Sequence, residues 1–412
     1  MNMVHKIMAN EEAFHLLLAI IIGVIGGLVN MFFLNFVSLI QWLIFQNTGD
    51  SAFLAQEAKP FLRVLAPILG GILAGLILLL HSHLSGKKKP TNVLEVVALG
   101  DGRIGMRSTL ISAWSSLISI GSGASIGREG AITQLTAAFA SKWGQTHEWQ
   151  PYRLRLMVAC GAAAGLAAAY NAPIAGALFA ALVLVGNFSM NLFAPLVMSS
   201  VVATMVSRFW FGIDPWYVLP ESMNFDQATN FTSMLWFLIL GITSGASGAF
   251  FLKSIQKMET ISAKSPWPLW SKLGLAGLVV GIVALIFPGV WGNGYGITNE
   301  ILQANSDEKD FSGLLNGSIL SELNIWKIPI LLLAGLLIAK FVTTVVAVGA
   351  GTVGGVFTPT LFLGAGLGAA FGQSLNYSNL AEGIPIAAFA LVGMGSVLAA
   401  TTRSPLFAII LI

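Results

Sequence analysis

Gly121-Ser122-Gly123-Ala124-Ser125-Ile126-Gly127-Arg128-Glu129-Gly130 is the most informative stretch of this chain, because its outline occurs twice. The glycine pattern G-x-G-x-x-x-G that starts at Gly121 starts again 228 positions later, at Gly349. Glycine is common in membrane helices, where it permits close helix packing, so one match could arise without a duplication. The significance of this stretch therefore depends on whether other segments repeat in the same order.

Two further segments do repeat in that order. Gly23-x-x-x-Gly27 followed by Phe32-Phe33-Leu34 matches Gly241-x-x-x-Gly245 followed by Phe250-Phe251-Leu252. A glycine, a Leu-Ala-Ala triplet and a proline match between 161–173 and 393–405. Three ordered matches with slowly drifting offsets predict a duplicated chain.

The composition places this duplicated chain in a lipid bilayer. Of its 412 residues, 56% are hydrophobic and only 9% are charged, whereas soluble domains carry about 25% charged residues. The net charge of +3 is too small to indicate a nucleic-acid partner. A membrane helix needs roughly 20 apolar residues, and the clearest candidates are 14–45, 61–80, 192–211, 234–252 and 328–348.

Duplication and composition together predict the fold class and the domains. We expect an all-α integral membrane protein built from two repeats of tilted and broken helices, and these are inverted repeats if each half crosses the membrane an odd number of times. Residues 1–13 form an N-terminal tail, 14–220 the first repeat and 221–412 the second. The apolar run 192–211 has no partner after the last repeated segment, so the second repeat is expected to lack its last helix. The basic loop with Lys87, Arg103 and Arg107 predicts a cytoplasmic side.

Arg128 and Glu129 are the only charged residues between Ser108 and Ser141. Charges at membrane depth are costly and usually mark an aqueous path or a protein interior. The glycine-rich backbone before them, with Gly121, Ser122, Gly123 and Gly127, predicts an irregular turn that opens a helix near Glu129. The free N–H groups of such a helix start form an anion site without a full positive charge.

The second repeat supplies a matching helix start at Gly354-Gly355-Val356-Phe357-Thr358-Pro359. The offset of 228 places Phe357 opposite Glu129, and Pro359 suits the first turn of a helix. Two helix starts meeting near the midplane would bind an anion weakly enough to let it pass. The predicted anion-binding residues are Arg128, Glu129, Gly130, Val356, Phe357 and Thr358.

Glu129 is the predicted gate, since its carboxylate can occupy an anion site and leave it when protonated. One alternative is a buried ion pair between Arg128 and Glu129 that serves structure alone. Residues 170–173 are interpreted as a helix break followed by a new helix, and 291–296 as a turn without assigned chemistry. His81 and His83 lack an evident third ligand, so neither a metal site nor any other cofactor is predicted.

At these residues the chain resembles the CLC family of chloride channels and chloride/proton antiporters. Residues 127–130 are similar to the family's G-[KR]-E-G signature with its gating glutamate, and 355–359 to its G-x-F-x-P signature. The resemblance implies a homodimer with one pore in each subunit. It also implies that the backbone amides of Gly130, Val356 and Phe357 contact chloride. A bacterial inner membrane is the location that it suggests.

The chain departs from the family pattern in three places. The early G-S-G-x-P signature is missing, and Thr91 is the candidate for its inner-pore hydroxyl. Val183 stands where antiporters carry an inward-facing glutamate, and no carboxylate lies between Trp149 and Ile213. The family's pore tyrosine belongs to the last helix, so no tyrosine is assigned.

These observations favour transport of chloride through a glutamate-gated pore that is channel-like or loosely coupled to protons. The alternative is a tightly coupled chloride/proton antiporter with another proton route. A fluoride-selective transporter stays open because anion selectivity depends on fine geometry. A membrane enzyme is the remaining class, but no catalytic cluster lies near the glycine segments.

Overall fold

The computed structural model describes residues 11–85, 92–219, 226–303, 312–319, 329–381 and 383–412. Thr91 and Lys87 lie outside these ranges. The described chain is almost entirely helical, and its helices in order are α1 (Glu11–Phe45), α2 (Ser51–Glu57), α3 (Pro60–Ser85), α4 (Val93–Ala98), α5 (Met106–Gly121), α6 (Glu129–Thr146), α7 (Pro151–Tyr170), α8 (Pro173–Leu178), α9 (Met190–Phe211), α10 (Phe231–Lys264), α11 (Leu269–Ile286), α12 (Tyr295–Gln303), α13 (Pro329–Gly349), α14 (Phe357–Tyr377), α15 (Ile386–Thr402) and α16 (Pro405–Leu411).

Six of these helices are long and apolar enough to cross a membrane: α1, α3, α9, α10, α11 and α13. Four of them contain the expected spans 14–45, 61–80, 192–211 and 234–252, and α13 covers the fifth expected span from Pro329 onward. The sixth, α11, is an 18-residue helix that the sequence analysis did not single out. The helical membrane fold is thus confirmed, and the protein is a multi-pass membrane protein.

Corresponding positions of the two repeated segments adopt the same unusual backbone geometry. Gly123 and Gly351 both have φ near +104°, a region that favours glycine because it has no Cβ. Asn171 and Arg403 end α7 and α15 in the left-handed conformation, with φ of 57° and 55°. A proline follows two residues later in both cases and starts the next helix, since proline suits a first helical turn.

Small residues let the central helices of each half pack closely. A Cβ atom built on Gly161 of α7 would lie 2.8 Å from the Thr136 carbonyl oxygen of α6. A Cβ on Gly364 of α14 would lie 2.5 Å from the Gly393 carbonyl oxygen of α15. Glycine therefore permits helix contacts that any larger side chain would block. These two pairs hold the starts of α6 and α14 deep in the protein.

Candidate functional site

Two broken segments, one from each half of the chain, meet at Gly127 and Gly355. The Gly127 N–H donates to the Gly355 carbonyl and the Gly355 N–H donates to the Gly127 carbonyl, each at 2.7 Å. A Cβ on Gly130 would lie only 3.0 Å from the Gly355 Cα, and one on Gly354 2.6 Å from Ile126 Cδ1. We call Gly127, Gly130, Gly354 and Gly355 the glycine junction. Its backbones approach this closely because they carry no side chains.

Helices α6 and α14 both begin at the glycine junction. Helix α6 starts at Glu129 and α14 at Phe357. The preceding residues, Arg128 and Val356, form no side-chain hydrogen bond that caps either helix. First-turn N–H groups have no partner in their own helix and carry about half a unit of positive charge. The two halves thereby place uncapped amide donors around one small region, which is the arrangement that an anion site needs.

The Glu129 carboxylate lies at this junction and is completely buried. Oε1 accepts hydrogen bonds from the Thr358 hydroxyl and, at 3.4 Å, from the Tyr295 hydroxyl. The backbone N–H of Glu129 also contacts its own carboxylate. Oε2 has no hydrogen-bond partner in the described part of the chain, and it lies against Gly127. The carboxylate thus occupies the space between the two helix starts.

Thr358 connects this carboxylate to the end of α7. Tyr170 Oη and Thr358 Oγ1 are 3.0 Å apart, and both residues are buried. An ionised carboxylate only accepts hydrogen bonds, so the single Thr358 hydroxyl hydrogen is used on Glu129. Tyr170 is then the donor to Thr358. The result is a chain of two hydrogen bonds, Tyr170 to Thr358 to Glu129, that spans both halves.

Arg128 turns away from Glu129 toward aromatic residues. Its Cζ lies 4.5 Å from the centre of the Trp216 ring and 5.2 Å from that of Tyr295. Within the described ranges, the single ion pair within 4.0 Å joins Arg153 and Glu11. The alternative of a structural ion pair between Arg128 and Glu129 is therefore wrong. The Arg128 side chain is stabilised by aromatic rings instead.

The remaining candidate residues of the first half, Gly121, Ser122 and Gly123, lie in the turn that precedes α6 and shape the backbone around the junction. A Cβ on Gly121 would lie 2.6 Å from Ile40 Cγ2, and one on Gly123 2.6 Å from the Trp291 ring. The Ser122 hydroxyl donates to the Ser119 carbonyl at 3.0 Å, so it is satisfied within the turn. These residues lie beside the site without reaching the carboxylate. In the second half, Pro359 is buried in the first turn of α14.

A cavity of about 310 Å³ lies beside the glycine junction. Gly130 and Gly354 form part of its wall. Its polar lining consists of uncharged side chains, namely Asn92, Ser108, Thr109, Ser112 and Gln134. Hydroxyl and amide groups can contact an anion without holding it as tightly as a full charge would. Thr91, the expected inner hydroxyl, precedes this lining but lies outside the described residues.

The sequence analysis missed the aromatic side of the site. Tyr170 and Tyr295 are two of the five tyrosines in the chain, and their hydroxyls reach Thr358 and Glu129. A third, Tyr217, packs against the Tyr295 ring, but its hydroxyl takes no part in these hydrogen bonds. Trp216 stacks on Tyr295 with 5.1 Å between ring centres. A signal was present, since buried tyrosine hydroxyls usually need a polar partner and few exist in so apolar a chain.

Comparisons with known proteins agree with this geometry. Residues 83–412 match the family described as voltage gated chloride channel. A ClcB-like protein of Ralstonia nicotianae is 36% identical over 96% of this chain and 87% of that relative. The voltage-gated ClC-type chloride channel ClcB of Escherichia coli is 32% identical, covering 96% and 89%. The crystal structure of a slow cyanobacterial Cl⁻/H⁺ antiporter matches with a TM-score of 0.75 at 24% identity, over 96% of this chain and 88% of that one.

Proposed function

Because the chain belongs to the voltage gated chloride channel family, we propose that it carries chloride through a pore within each subunit, gated by Glu129. The single observation that carries this proposal is the Glu129 carboxylate, buried between two uncapped helix starts. It occupies the place where a permeating anion would meet the amide groups of both halves. In this position the carboxylate blocks the pore.

Protonation opens the gate in this proposal. A neutral carboxylic acid no longer benefits from the helix dipoles or from the Thr358 and Tyr295 hydroxyls to the same degree. Its side chain then leaves the junction, and chloride takes its place against the amides of Gly130, Val356 and Phe357. The Arg128 guanidinium lies over the Trp216 ring, so we assign the chloride contacts to the amides and not to its charge. Weak binding of this kind suits passage.

Chloride reaches the junction on one side through the cavity lined by Ser108, Thr109 and Ser112. Hydroxyl groups supply donors along this route, and the cavity touches Gly130, whose amide belongs to the first turn of α6. Several residues of this cavity therefore offer an inner-pore hydroxyl. We assign this cavity as the inner vestibule.

A further part of the proposal concerns the coupling of chloride transport to proton transport. Val183 lies half-buried in the π-helical continuation of α8, where a second carboxylate would be needed for tight exchange. This favours a channel-like or loosely coupled pore. Tight chloride/proton exchange is the alternative, and the Tyr170–Thr358–Glu129 hydrogen-bond chain is the observation that keeps it in consideration. The further parts of the proposal are a homodimer in a bacterial inner membrane and no cofactor.

Anion flux from lipid vesicles that contain the purified protein tests the function. We expect chloride efflux, with nitrate passing as well and fluoride passing less readily. A reversal potential measured in a proton gradient at fixed chloride separates the two coupling schemes. A purely passive pore gives no shift with the proton gradient, whereas tight exchange gives a large one. Efflux of fluoride alone, or no anion flux, would contradict the proposal.

A further inference from the structure

The segment Trp291–Gly292–Asn293–Gly294–Tyr295–Gly296, which we call the tyrosine loop, crosses the protein beside the gate. Its first four residues join the short 3-10 turn Pro288–Val290 to helix α12, and its last two, Tyr295 and Gly296, are the first residues of that helix. The turn expected over 291–296 therefore ends at Gly294. Gly292 and Gly294 have φ of 63° and 98°, so the chain bends sharply twice within six residues. A loop that bends twice has a fixed shape only if its surroundings hold it.

Lys340 of α13 holds one side of the tyrosine loop. Its Nζ donates to the Val290 carbonyl at 3.0 Å and to the Gly292 carbonyl at 2.8 Å. The side chain is fully buried, and across the described ranges no carboxylate lies within 4.0 Å of it. A buried ammonium group is costly unless polar groups surround it. Here the loop carbonyls are those groups, so Lys340 and the loop hold each other in place.

Asp50 holds the other side. Its Oδ2 accepts from the Gly296 N–H at 3.1 Å, and its Oδ1 caps α2 through the Ala52 N–H at 2.8 Å. Trp291 at the start of the loop packs against Gly123, where a side chain would leave no room for the ring. The loop is thus tied to α13, to α2 and to the broken segment of the first half.

These contacts fix the position of Tyr295. Its hydroxyl lies 3.4 Å from Glu129 Oε1, and its ring stacks on Trp216 at an interplanar angle of 28°. The Arg128 guanidinium lies 5.2 Å from the centre of the same ring. Stacking fixes the ring plane, and the O–H bond of a phenol lies close to that plane, so the hydroxyl can donate to Glu129 Oε1 without movement of the ring.

We propose that Tyr295 is a positioning residue which holds the ionised Glu129 carboxylate in its blocking position, with the Lys340 and Asp50 contacts setting its reach. This inference rests on the proposed gate function. A hydroxyl donates more strongly to a charged carboxylate than to a neutral acid. Tyr295 therefore stabilises the closed gate only while Glu129 is ionised, and it lowers the pH at which the gate opens.

Other titratable and charged groups surround this pair and have to stay unchanged in the test. They are Arg128 before α6, Tyr170 on α7, Tyr217 in the segment after α9 and Asp50 before α2. Tyr217 offers a matched control. Its ring lies 5.4 Å from that of Tyr295, yet its buried hydroxyl has no hydrogen-bond partner anywhere in the described chain.

The test compares chloride efflux from vesicles over a pH series for the full chain, Tyr295→Phe and Tyr217→Phe. Phenylalanine keeps the stacked ring and removes only the hydroxyl. We expect Tyr295→Phe to raise efflux at neutral pH by about tenfold, the factor for one hydrogen bond to a charged group. The midpoint of opening moves to higher pH. Tyr217→Phe leaves both quantities unchanged.

A gate-free background shows whether Tyr295 acts through Glu129. We expect Glu129→Ala to raise efflux, and Tyr295→Phe to add nothing when both changes are combined. Lys340→Met, which removes one tie of the loop, should shift the midpoint in the same direction as Tyr295→Phe. If Lys340→Met does not fold, the tyrosine variants decide alone.

Two outcomes would overturn this inference while leaving the gate intact. One is an unchanged efflux and midpoint in Tyr295→Phe alongside a raised efflux in Glu129→Ala. The other is an equal effect of Tyr295→Phe with and without the Glu129 side chain. An unchanged efflux in Glu129→Ala would overturn the gate itself and this inference with it.

Discussion

Gly127 and Gly355 exchange two backbone hydrogen bonds, and they are related by the same 228-residue offset that relates the two glycine patterns in the sequence. The contact joins equivalent positions of two halves that share little other sequence. It sets the distance between the starts of α6 and α14, and it leaves their first N–H groups next to each other. The anion site that we propose is consequently a property of the contact between the halves.

Glu129→Gln is expected to raise chloride efflux at neutral pH. Glutamine has nearly the same size as glutamate but no charge, so it lacks the attraction that holds the carboxylate at the helix starts. Helix-dipole effects in buried positions reach about 2 kcal/mol, which corresponds to roughly a thirtyfold change in a two-state equilibrium. Vesicle efflux measures the change. Glu259→Gln, an exposed glutamate of α10, is the matched control. Equal efflux in all three proteins would remove Glu129 as the gate.

Chloride efflux through the unmodified protein is expected to rise as pH falls. Protons convert the blocking carboxylate into the neutral acid, so lower pH increases the open fraction. For a single proton the increase is at most about tenfold per pH unit while the ionised form dominates. The measurement is chloride efflux across a pH series, made on the unmodified protein and on Glu129→Gln. A pH profile that keeps its slope in Glu129→Gln would assign the titration to another group.

Thr358→Val is expected to weaken the closed state. Valine has the shape of threonine without the hydroxyl, so Glu129 Oε1 loses a donor and Tyr170 loses its acceptor. Losing a hydrogen bond to a charged group predicts an increase in efflux of about tenfold. Thr360→Val is the control, because the Thr360 hydroxyl donates to the Val356 carbonyl within its own helix. Similar efflux in the two valine variants would speak against a specific role of Thr358.

Gly355→Ala is expected to destabilise the protein and disturb the site. The new Cβ would lie 2.9 Å from the Gly130 nitrogen, so the two halves have to separate slightly. Overpacking of this kind costs about 1–3 kcal/mol. Thermal unfolding in detergent measures the loss. Gly245→Ala is the control, since nothing lies within 4 Å of its Cβ position in α10. A melting temperature of Gly355→Ala equal to that of the control would show that the junction tolerates a side chain.

Much of the fold could be predicted from the sequence, because its signals are local or periodic. The duplication shows in glycine and proline spacing. Pro173 and Pro405 mark the ends of α7 and α15, because the residue before a proline avoids helical geometry. The start of α6 at Glu129 and that of α14 at Phe357 follow from glycine-rich backbone before an apolar run. Helix α11 was not singled out because Lys272 and three glycines, which face α3 in the structure, interrupt its apolar run.

The surroundings of the gate could not be predicted from the sequence to the same extent. Tyr295 is 166 positions from Glu129, and no spacing rule links the start of α12 in one half to the start of α6 in the other. The direction of Arg128 is equally a tertiary result, since Trp216 and Tyr295 compete with Glu129 for its guanidinium group. Sequence patterns identify which groups are chemically unusual. Packing decides which of them touch.

The pairing of Gly127 with Gly355 also constrains how the protein is made. A ribosome has synthesised the Glu129 carboxylate long before it reaches Thr358, Gly355 and Tyr295, which later surround that carboxylate. During this interval Glu129 lacks the neighbours that bury it in the complete protein. Packing of the second half against the first is therefore the event that completes the shielding of this side chain.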